Sequence, residues 1–391
     1  MNINEILKLE IIDDNHLGNG IAKIKDTPVF VKGALKGDVV KVRITGIYKK
    51  HLAGEIESFI KKEKREELLC PYYDKCGGCN LLHISYDKEL DLKKKYIEKL
   101  FKKDVNVISF ERNSYRNKIN LHVKDNTLGL YKEDTNEVVE IDKCLLVSDS
   151  INEFISYLKN IDLSKIKEIT IKEGNGLLLS ISGHISNSDI KDLINYPNLK
   201  SIYENDKLIY GDEYLETDFN DFKFYVNNNS FLQVNTACAI SLYDKVKEYV
   251  GTCINLLDLY CGSATIGIYL NDICKNITGV EINKDSVRCG KKNIKENNIS
   301  NYNLILEDAK DIEGSFDTII VDPPRTGLSK GVIEYLNNSS ANTLIYVSCN
   351  PSTLKRDIDL LNYELKEITA FNMFPVTGHI ETVVILERKD V

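Results

Sequence analysis

The sequence predicts an α/β protein: an open, mostly parallel sheet covered by helices, preceded by a small β-barrel and a mixed α+β central region. Three observations predict it. From about residue 226, apolar runs of strand length alternate with helical stretches: Ile254–Leu259, Ile277–Val280, Leu304–Leu306, Phe316–Val321, Thr343–Val347 and Thr382–Leu386. Near the N-terminus the runs are shorter and are divided by Gly18, Gly20, Gly33, Gly37 and Gly46, the spacing of a small barrel. The chain has 391 residues, 42% hydrophobic and 28% charged. That suits several folded domains and excludes a mainly disordered chain or a small disulfide scaffold.

Residues 1–62 form the barrel, with strand candidates Ile21–Ile24, Val29–Val31, Val39–Ile44 and Gly54–Ile60. The charged run Lys61–Glu67 is a linker candidate. Residues 63–225 form the central region. It holds a cysteine cluster and a helix from about Tyr86 to Lys103, which is expected to pack on the C-terminal domain. The segments Ile151–Leu158, Ile166–Ile171, Leu177–Ile181 and Leu199–Tyr203 follow without a readable motif. Residues 226–391 form the C-terminal domain, opened by a helix from about Thr236 to Val250 with Asn235 as its cap.

No apolar run approaches the ~20 residues of a membrane helix. The start, MNINEILKLEII, carries charges and no small-residue cleavage site, so no signal peptide is expected. A cytoplasmic address follows, where ten cysteines are reduced thiols or metal ligands. Net charge is −8, which as a whole argues mildly against nucleic acid. Charge must be read locally, however, and Lys88–Lys124 holds 11 basic against 5 acidic side chains.

Ligands of such sheets bind beyond the carboxyl ends of the strands. After the first strand of the C-terminal domain comes Asp258-Leu-Tyr-Cys-Gly-Ser-Ala-Thr-Ile-Gly267. This small-residue turn opens a helix and lets a ligand approach backbone N–H groups. After the second comes Gly279-Val-Glu281, an acid placed to accept from a ribose diol. After the third, Glu307-Asp308 offers an acceptor for an adenine amino group. Together these suit an adenosine ligand without a pyrophosphate, S-adenosylmethionine rather than NAD. The fourth strand ends in Asp322-Pro-Pro-Arg325. That is either a rigid turn with a surface arginine, or Asp322 accepting from a substrate base while Arg325 meets RNA phosphate or cofactor.

The fifth strand delivers Tyr346-Val-Ser-Cys-Asn-Pro351 ahead of a helix candidate, Ser352–Leu361. A helix N-terminus here would lower the Cys349 pKa and favour thiolate; the alternative is a buried, inert thiol. Before the last strand stands Phe374-Pro-Val-Thr-Gly-His-Ile-Glu381, where desolvation would lift the glutamate toward a base's working range. A thiol and a carboxylate together fit one chemistry. C5 of a pyrimidine is too weak a nucleophile to take a methyl group directly. A thiolate adding to C6 makes an enolate with electron density at C5, and a base must later remove the C5 proton so that the thiol can leave.

On the motifs Ser230-Phe-Leu-Gln-Val-Asn235, Asp258-Leu-Tyr-Cys-Gly262, Asp322-Pro-Pro-Arg325, Ser348-Cys-Asn-Pro351 and Phe374-Pro-x-Thr-Gly-His-x-Glu381, the chain resembles the RNA (uracil-5-)-methyltransferases, in the branch acting on 23S ribosomal RNA. The resemblance spans essentially the whole chain. It implies a Rossmann-like class I S-adenosylmethionine methyltransferase domain, with Cys349 as nucleophile and Glu381 as proton-abstracting base. It implies a cofactor site lined by Gln233, Tyr260, Thr265, Glu281, Asp308 and Asp322, and a TRAM barrel that binds RNA at the N-terminus. One departure is Gly262-Ser-Ala264, where the family often has Gly-x-Gly. If Ala264 sits at positive φ, the cost is on the order of 1 kcal/mol.

Cys70, Cys76 and Cys79, with Cys144 further on, read as a four-thiol metal site. The spacing leaves zinc and a [4Fe–4S] cluster equally open; the resemblance implies [4Fe–4S] with Cys144 as fourth ligand. In Tyr115-Arg-Asn-Lys118 an aromatic ring beside cations suits single-stranded RNA, with Arg116 and Lys118 as contacts. The target uridine must be unstacked into a pocket. A monomer is expected. The alternatives are methylation of transfer-RNA uridine, cytosine-C5 methylation, and a non-catalytic iron–sulfur RNA-binding protein. Cytosine enzymes commonly carry a cysteine where Arg325 stands.

Overall fold

The computed structural model describes residues 2–389. Six N-terminal strands, β1 (Ile6–Glu10), β2 (Asp13–Asp14), β3 (Asn19–Ile24), β4 (Thr27–Lys32), β5 (Val39–Ile47) and β6 (Leu52–Lys61), pair in the order β1-β5-β6-β4-β3-β2. The sheet curls into a half-barrel because alternate residues, Val29, Val31, Val40, Val42 and Ile44, turn inward to one core. The expected linker is tied down at Arg65, which forms an ion pair of 2.6 Å with the buried Asp38 of the barrel.

In the central region, α1 (Tyr86–Phe101) begins at Ser85, whose side chain accepts from Lys88 N–H, and stops at Lys102, in the left-handed conformation with φ 55°. The next strand is β7 (Asn106–Ile108). Strands β8 (Lys118–Lys124), β9 (Thr127–Tyr131), β10 (Val138–Glu140), β11 (Ile166–Glu173), β12 (Leu177–Gly183), β13 (Leu199–Glu204) and β14 (Lys207–Gly211) form a seven-stranded sheet. One face packs against α2 (Asp149–Leu158) and α3 (Asn187–Leu193) through Ile119, Leu121, Phe154, Ile169 and Leu193. A hairpin of β15 (Leu215–Phe219) and β16 (Phe222–Val226) leads on.

The C-terminal domain runs α4 (Thr236–Val250), β17 (Cys253–Leu259), α5 (Thr265–Tyr269), β18 (Cys274–Glu281), α6 (Lys284–Glu296), β19 (Tyr302–Leu306), β20 (Thr318–Val321), α7 (Lys330–Asn338), β21 (Thr343–Ser348), α8 (Pro351–Ile358), β22 (Tyr363–Phe371) and β23 (Glu381–Arg388). Its sheet has the order β19-β18-β17-β20-β21-β23-β22-β7. All six expected strands are present, and the pairing is parallel from β19 to β21. The last strand departs from the parallel pattern: β23 lies antiparallel between β21 and β22. Two further strands escaped the pattern. β22 begins with the polar stretch Tyr-Glu-Leu-Lys-Glu, and β7 is a three-residue edge contributed from upstream of the domain. α1 packs here, burying Ile97 and Phe101 in the same core as Leu257, Val321 and Tyr346. Among the described residues no helix is long and apolar enough to cross a membrane.

Candidate active site

The cofactor end is built by the loops after β17, β18 and β19. Asp258, fully buried, accepts from the Gly267 N–H at 3.2 Å and from the Tyr302 hydroxyl at 3.1 Å. Its other oxygen has no partner among the described residues. Burial pushes this carboxyl up to about 7. The turn that follows holds Tyr260, Gly262 and Ala264 at φ 62°, 56° and 66°. Ala264 therefore does adopt the conformation that favours glycine. A side chain at Gly262 would meet open space, so the turn's backbone faces room for a ligand. Glu281 accepts from the N–H groups of Gly262 at 3.0 Å and Asn283 at 2.7 Å. The Lys310 backbone and side chain hold Asp308 below the ordinary carboxylate range. Tyr260, Glu281 and Asp308 line one cavity of about 760 Å³. Thr265 opens α5, its hydroxyl 3.4 Å from that of Ser263. Gln233 is held through its carbonyl by Asn117 Nδ2 at 2.9 Å and faces the buried Tyr243 hydroxyl, which also faces Asp322. An adenosine bearing a charged sulfonium fits this donor and acceptor set: carboxylates for the ribose and the adenine edge, and an unpartnered buried oxygen by the glycine turn.

The reactive pair follows from strand register. β21 and β23 are antiparallel, and their last partners at this end are Ser348 and Thr382. The next residue on each strand is Cys349 on one and Glu381 on the other, so the two face across the sheet at its ligand end. β20 runs beside β21 with Val321 opposite Tyr346, which brings Asp322 to the same edge. The loops are tied together: Asn350 Nδ2 donates to the Arg325 carbonyl at 3.1 Å, and Arg325 Nη2 lies 3.0 Å from His379 Nδ1. Electrostatics differ from the sequence expectation. Burial, reinforced by Glu381 and Asp322, pushes the Cys349 thiol up to about 11, against a smaller opposite pull from Arg325. The α8 N-terminus does not win, because Asn350 caps it and two carboxyls face the sulfur. Burial and Asp322 raise Glu381 well above its ordinary value, in the direction expected for a base. Asp322 itself is raised to about 7 by burial and Asp258.

With this geometry in view, the comparisons decide the family. The tRNA (Uracil-5-)-methyltransferase family matches residues 192–313 and 306–389, and the TRAM domain matches residues 2–56. The chain belongs to the tRNA (Uracil-5-)-methyltransferase family. It is 32% identical to an uncharacterized RNA methyltransferase of Clostridium acetobutylicum, covering 99% of this chain and 98% of that one. It is 28% identical to another from Staphylococcus aureus, over 99% of each. It also resembles the crystal structure of Pyrococcus abyssi tRNA (uracil-54, C5)-methyltransferase in complex with S-adenosyl-L-homocysteine. That match has TM-score 0.82 and 27% identity, over 97% of this chain and 100% of the other. The protein is an S-adenosylmethionine-dependent RNA (uracil-5-)-methyltransferase with a class I fold and an N-terminal TRAM domain.

The expected metal ligands share a second cavity of about 290 Å³, lined by Cys70, Cys76, Cys79 and Cys144. Among the described residues, however, no three His, Cys, Asp or Glu side chains are drawn together as a metal-holding group. Burial raises the pKa of Cys76, Cys79 and Cys144. Arg116 and Lys118, expected as RNA contacts, both line this cavity and are half-buried. Arg116 faces Cys79 and Cys144, which places it close to the thiols.

Two residues of this RNA methyltransferase, Asn293 and Lys172, gave no signal in the sequence, and a third, Phe231, stood there only as part of a motif. Asn293, fully buried on α6, donates to the Ser263 carbonyl at 3.0 Å and accepts from Tyr225 N–H at 2.7 Å, holding the glycine turn against β16. Lys172, buried on β11, donates to the carbonyls of Asn227, Asn228 and Ser230 at 2.8–2.9 Å and so fixes the start of the Ser230–Asn235 motif. Phe231, in that motif, is 65% exposed, a ring available for stacking beside Gln233. A lysine in a β-pattern reads as a solvent-facing position, and only the fold reveals that it is buried.

Proposed function

We propose that the protein methylates C5 of a uridine in ribosomal RNA, with Cys349 as nucleophile and Glu381 as base. The observation that carries this reading is the β21–β23 register, which supports a thiol and a carboxyl acting on one ring. Glu281 and Asp308 would hold the adenosine of S-adenosylmethionine, with Gln233, Tyr260, Thr265 and Asp322 around it. That cofactor supplies the methyl group as a sulfonium. Asp322, raised by burial and by Asp258, can take the thiol proton when RNA closes the site, which leaves Glu381, raised by burial and by Asp322, as the base for the C5 proton. The Cys349 sulfur then bonds to C6, C5 gains electron density and becomes methylated, Glu381 removes the C5 proton, and the C6–S bond breaks to restore the ring and the thiolate. The negative surroundings of Cys349 work against thiolate in the empty site.

We further propose that the chain divides at residues 62 and 225 into RNA-binding barrel, cysteine domain and methyltransferase domain. Cys70, Cys76, Cys79 and Cys144 would hold a [4Fe–4S] cluster. One cavity lined by four thiols supports this, since a cluster's positive charge would stabilise thiolates that burial disfavours. A second reading, transfer RNA as substrate, is favoured by the whole-chain likeness to the Pyrococcus abyssi enzyme, which removes the N-terminal barrel as a mark of ribosomal specificity. Mapping 5-methyluridine in ribosomal and transfer RNA, from cells with and without the gene, decides between them. Loss of a ribosomal mark is expected; loss of a transfer-RNA mark alone would favour the second reading, and no change in either would reject both.

A further inference from the structure

The segment before Glu381 is irregular backbone, held by hydrogen bonds from distant parts of the chain. Val376 is fully buried at φ 60°, a conformation that a β-branched residue rarely adopts and that persists only where its surroundings impose it. Its N–H donates to Glu89 Oε1 at 3.0 Å. Its carbonyl accepts from both Asn80 and Leu81 N–H at 3.0 Å, the residues directly after Cys79. The neighbouring carbonyls are also taken: Met373 by Asn235 Nδ2 at 3.2 Å, Phe374 by Lys93 Nζ at 3.2 Å, and Pro375 by the Tyr115 hydroxyl at 3.2 Å. Four separate parts of the chain therefore converge on residues 373–376.

At the centre are charges with no access to water. Glu89 and Lys93, one turn apart on α1, both have fully buried side chains 3.0 Å apart. Glu89 Oε1 also accepts from Asn372 Nδ2 at 3.1 Å, and Oε2 accepts from Arg112 Nε at 3.2 Å. Arg112 in turn donates to the carbonyls of Leu81 and Ile84, both at 2.9 Å. A buried ion cluster is a poor device for stability, since apolar residues of like volume do as well. What it supplies here, and a leucine could not, is an acceptor for the Val376 N–H and a donor to Phe374 and Asn372.

We infer that Glu89, held by Lys93 and Arg112, is a positioning residue for the base: it fastens Val376 in its strained conformation and thereby fixes where Glu381 stands opposite Cys349. This rests on the assignment of Glu381 as base. The clamp also ties the cysteine loop, through Asn80 and Leu81, to the same backbone.

The test uses full-length protein, S-adenosylmethionine, and transcribed ribosomal and transfer RNA tritiated at uridine C5. Tritium release reads proton abstraction, and a detergent-stable protein–RNA adduct carrying the methyl group reads the step before it. E381Q should accumulate the adduct; if it does not, the base assignment fails and this inference with it. E89L/K93M removes both buried charges together and should slow tritium release by about 10–100-fold, the scale of an ångström-sized misplacement, while retaining adduct formation. E89Q keeps an acceptor oxygen and should fall between this variant and wild type; it carries the test if the double variant does not fold. With E381Q behaving as expected, wild-type tritium release in the E89 variants, or equal loss of adduct formation and release, would overturn the inference.

Discussion

Cys349 and the thiols around Cys79 and Cys144 are all half-buried, and their surroundings differ in sign. Cys349 faces two carboxyls, Glu381 and Asp322, with Arg325 as the minor cationic neighbour. Cys79 and Cys144 face other thiols, and the cationic Arg116 acts on both in the opposite sense. Burial raises Cys349 as well as Cys79 and Cys144, and the roles proposed for them would use that differently. A nucleophile in such surroundings stays a neutral thiol until a base takes its proton. A permanent ligand set needs surroundings that accept thiolates once a cation is present. Placement differs as well: Cys349 stands directly after a strand of the C-terminal sheet, whereas Cys70, Cys76, Cys79 and Cys144 lie in loops that line one cavity.

The largest expected effect separates the two groups. Cys349→Ala should abolish methyl transfer, by at least about 10³-fold as for loss of a covalent nucleophile, with thermal stability almost unchanged. Cys79→Ala should do the reverse, lowering the melting temperature and iron content while residual methyl transfer persists in the folded fraction. Equal loss of activity without loss of stability in both variants would erase the distinction. Next comes cofactor affinity. Glu281→Gln removes a charged acceptor at the ribose position and should weaken S-adenosylmethionine binding by about 10–100-fold, read by calorimetry, since hydrogen bonds to charged groups contribute about 1.5–3 kcal/mol.

A pH profile sharpens the comparison further. The folded pKa values of Cys349, Glu381 and Asp322 are all raised, and each group must lose a proton to act. Adduct formation should therefore rise from acid to mildly alkaline pH, losing activity as pH falls through the raised carboxyl values. A profile flat from about pH 6 to 9 would contradict the burial argument. The smallest effect concerns Ala264. Glycine there relieves strain of about 1 kcal/mol but loses a buried methyl worth about 0.8 kcal/mol and adds freedom to the unfolded chain. Ala264→Gly should change unfolding free energy by less than about 1 kcal/mol.

The active-site end was legible in the sequence because its chemistry lies at strand ends. Asp258, Glu281, Asp308, Asp322 and Cys349 each follow an apolar run, so one rule about parallel sheets locates all five. Sequence could not reveal the antiparallel β23, because strand order is set by packing, and so the face-to-face placement of Cys349 and Glu381 required the fold. Nor could it reveal that Arg116 turns toward thiols, or that Glu89 and Lys93 are buried. On α1 those two residues read as an ordinary solvated i,i+4 pair. The thiol pKa was misjudged for a related reason: a helix terminus is visible in sequence, while carboxyls from distant strands are not.

The central claim is that the Cys349 sulfur bonds to a pyrimidine. The most direct measurement is mass spectrometry of the protein after incubation with S-adenosylmethionine and RNA containing 5-fluorouridine, whose C5 fluorine cannot be removed as a proton. The expected result is a methylated fluorouridine attached to the peptide carrying Cys349. Methylation of ordinary RNA with no such attachment, or attachment to any other cysteine, would contradict the account.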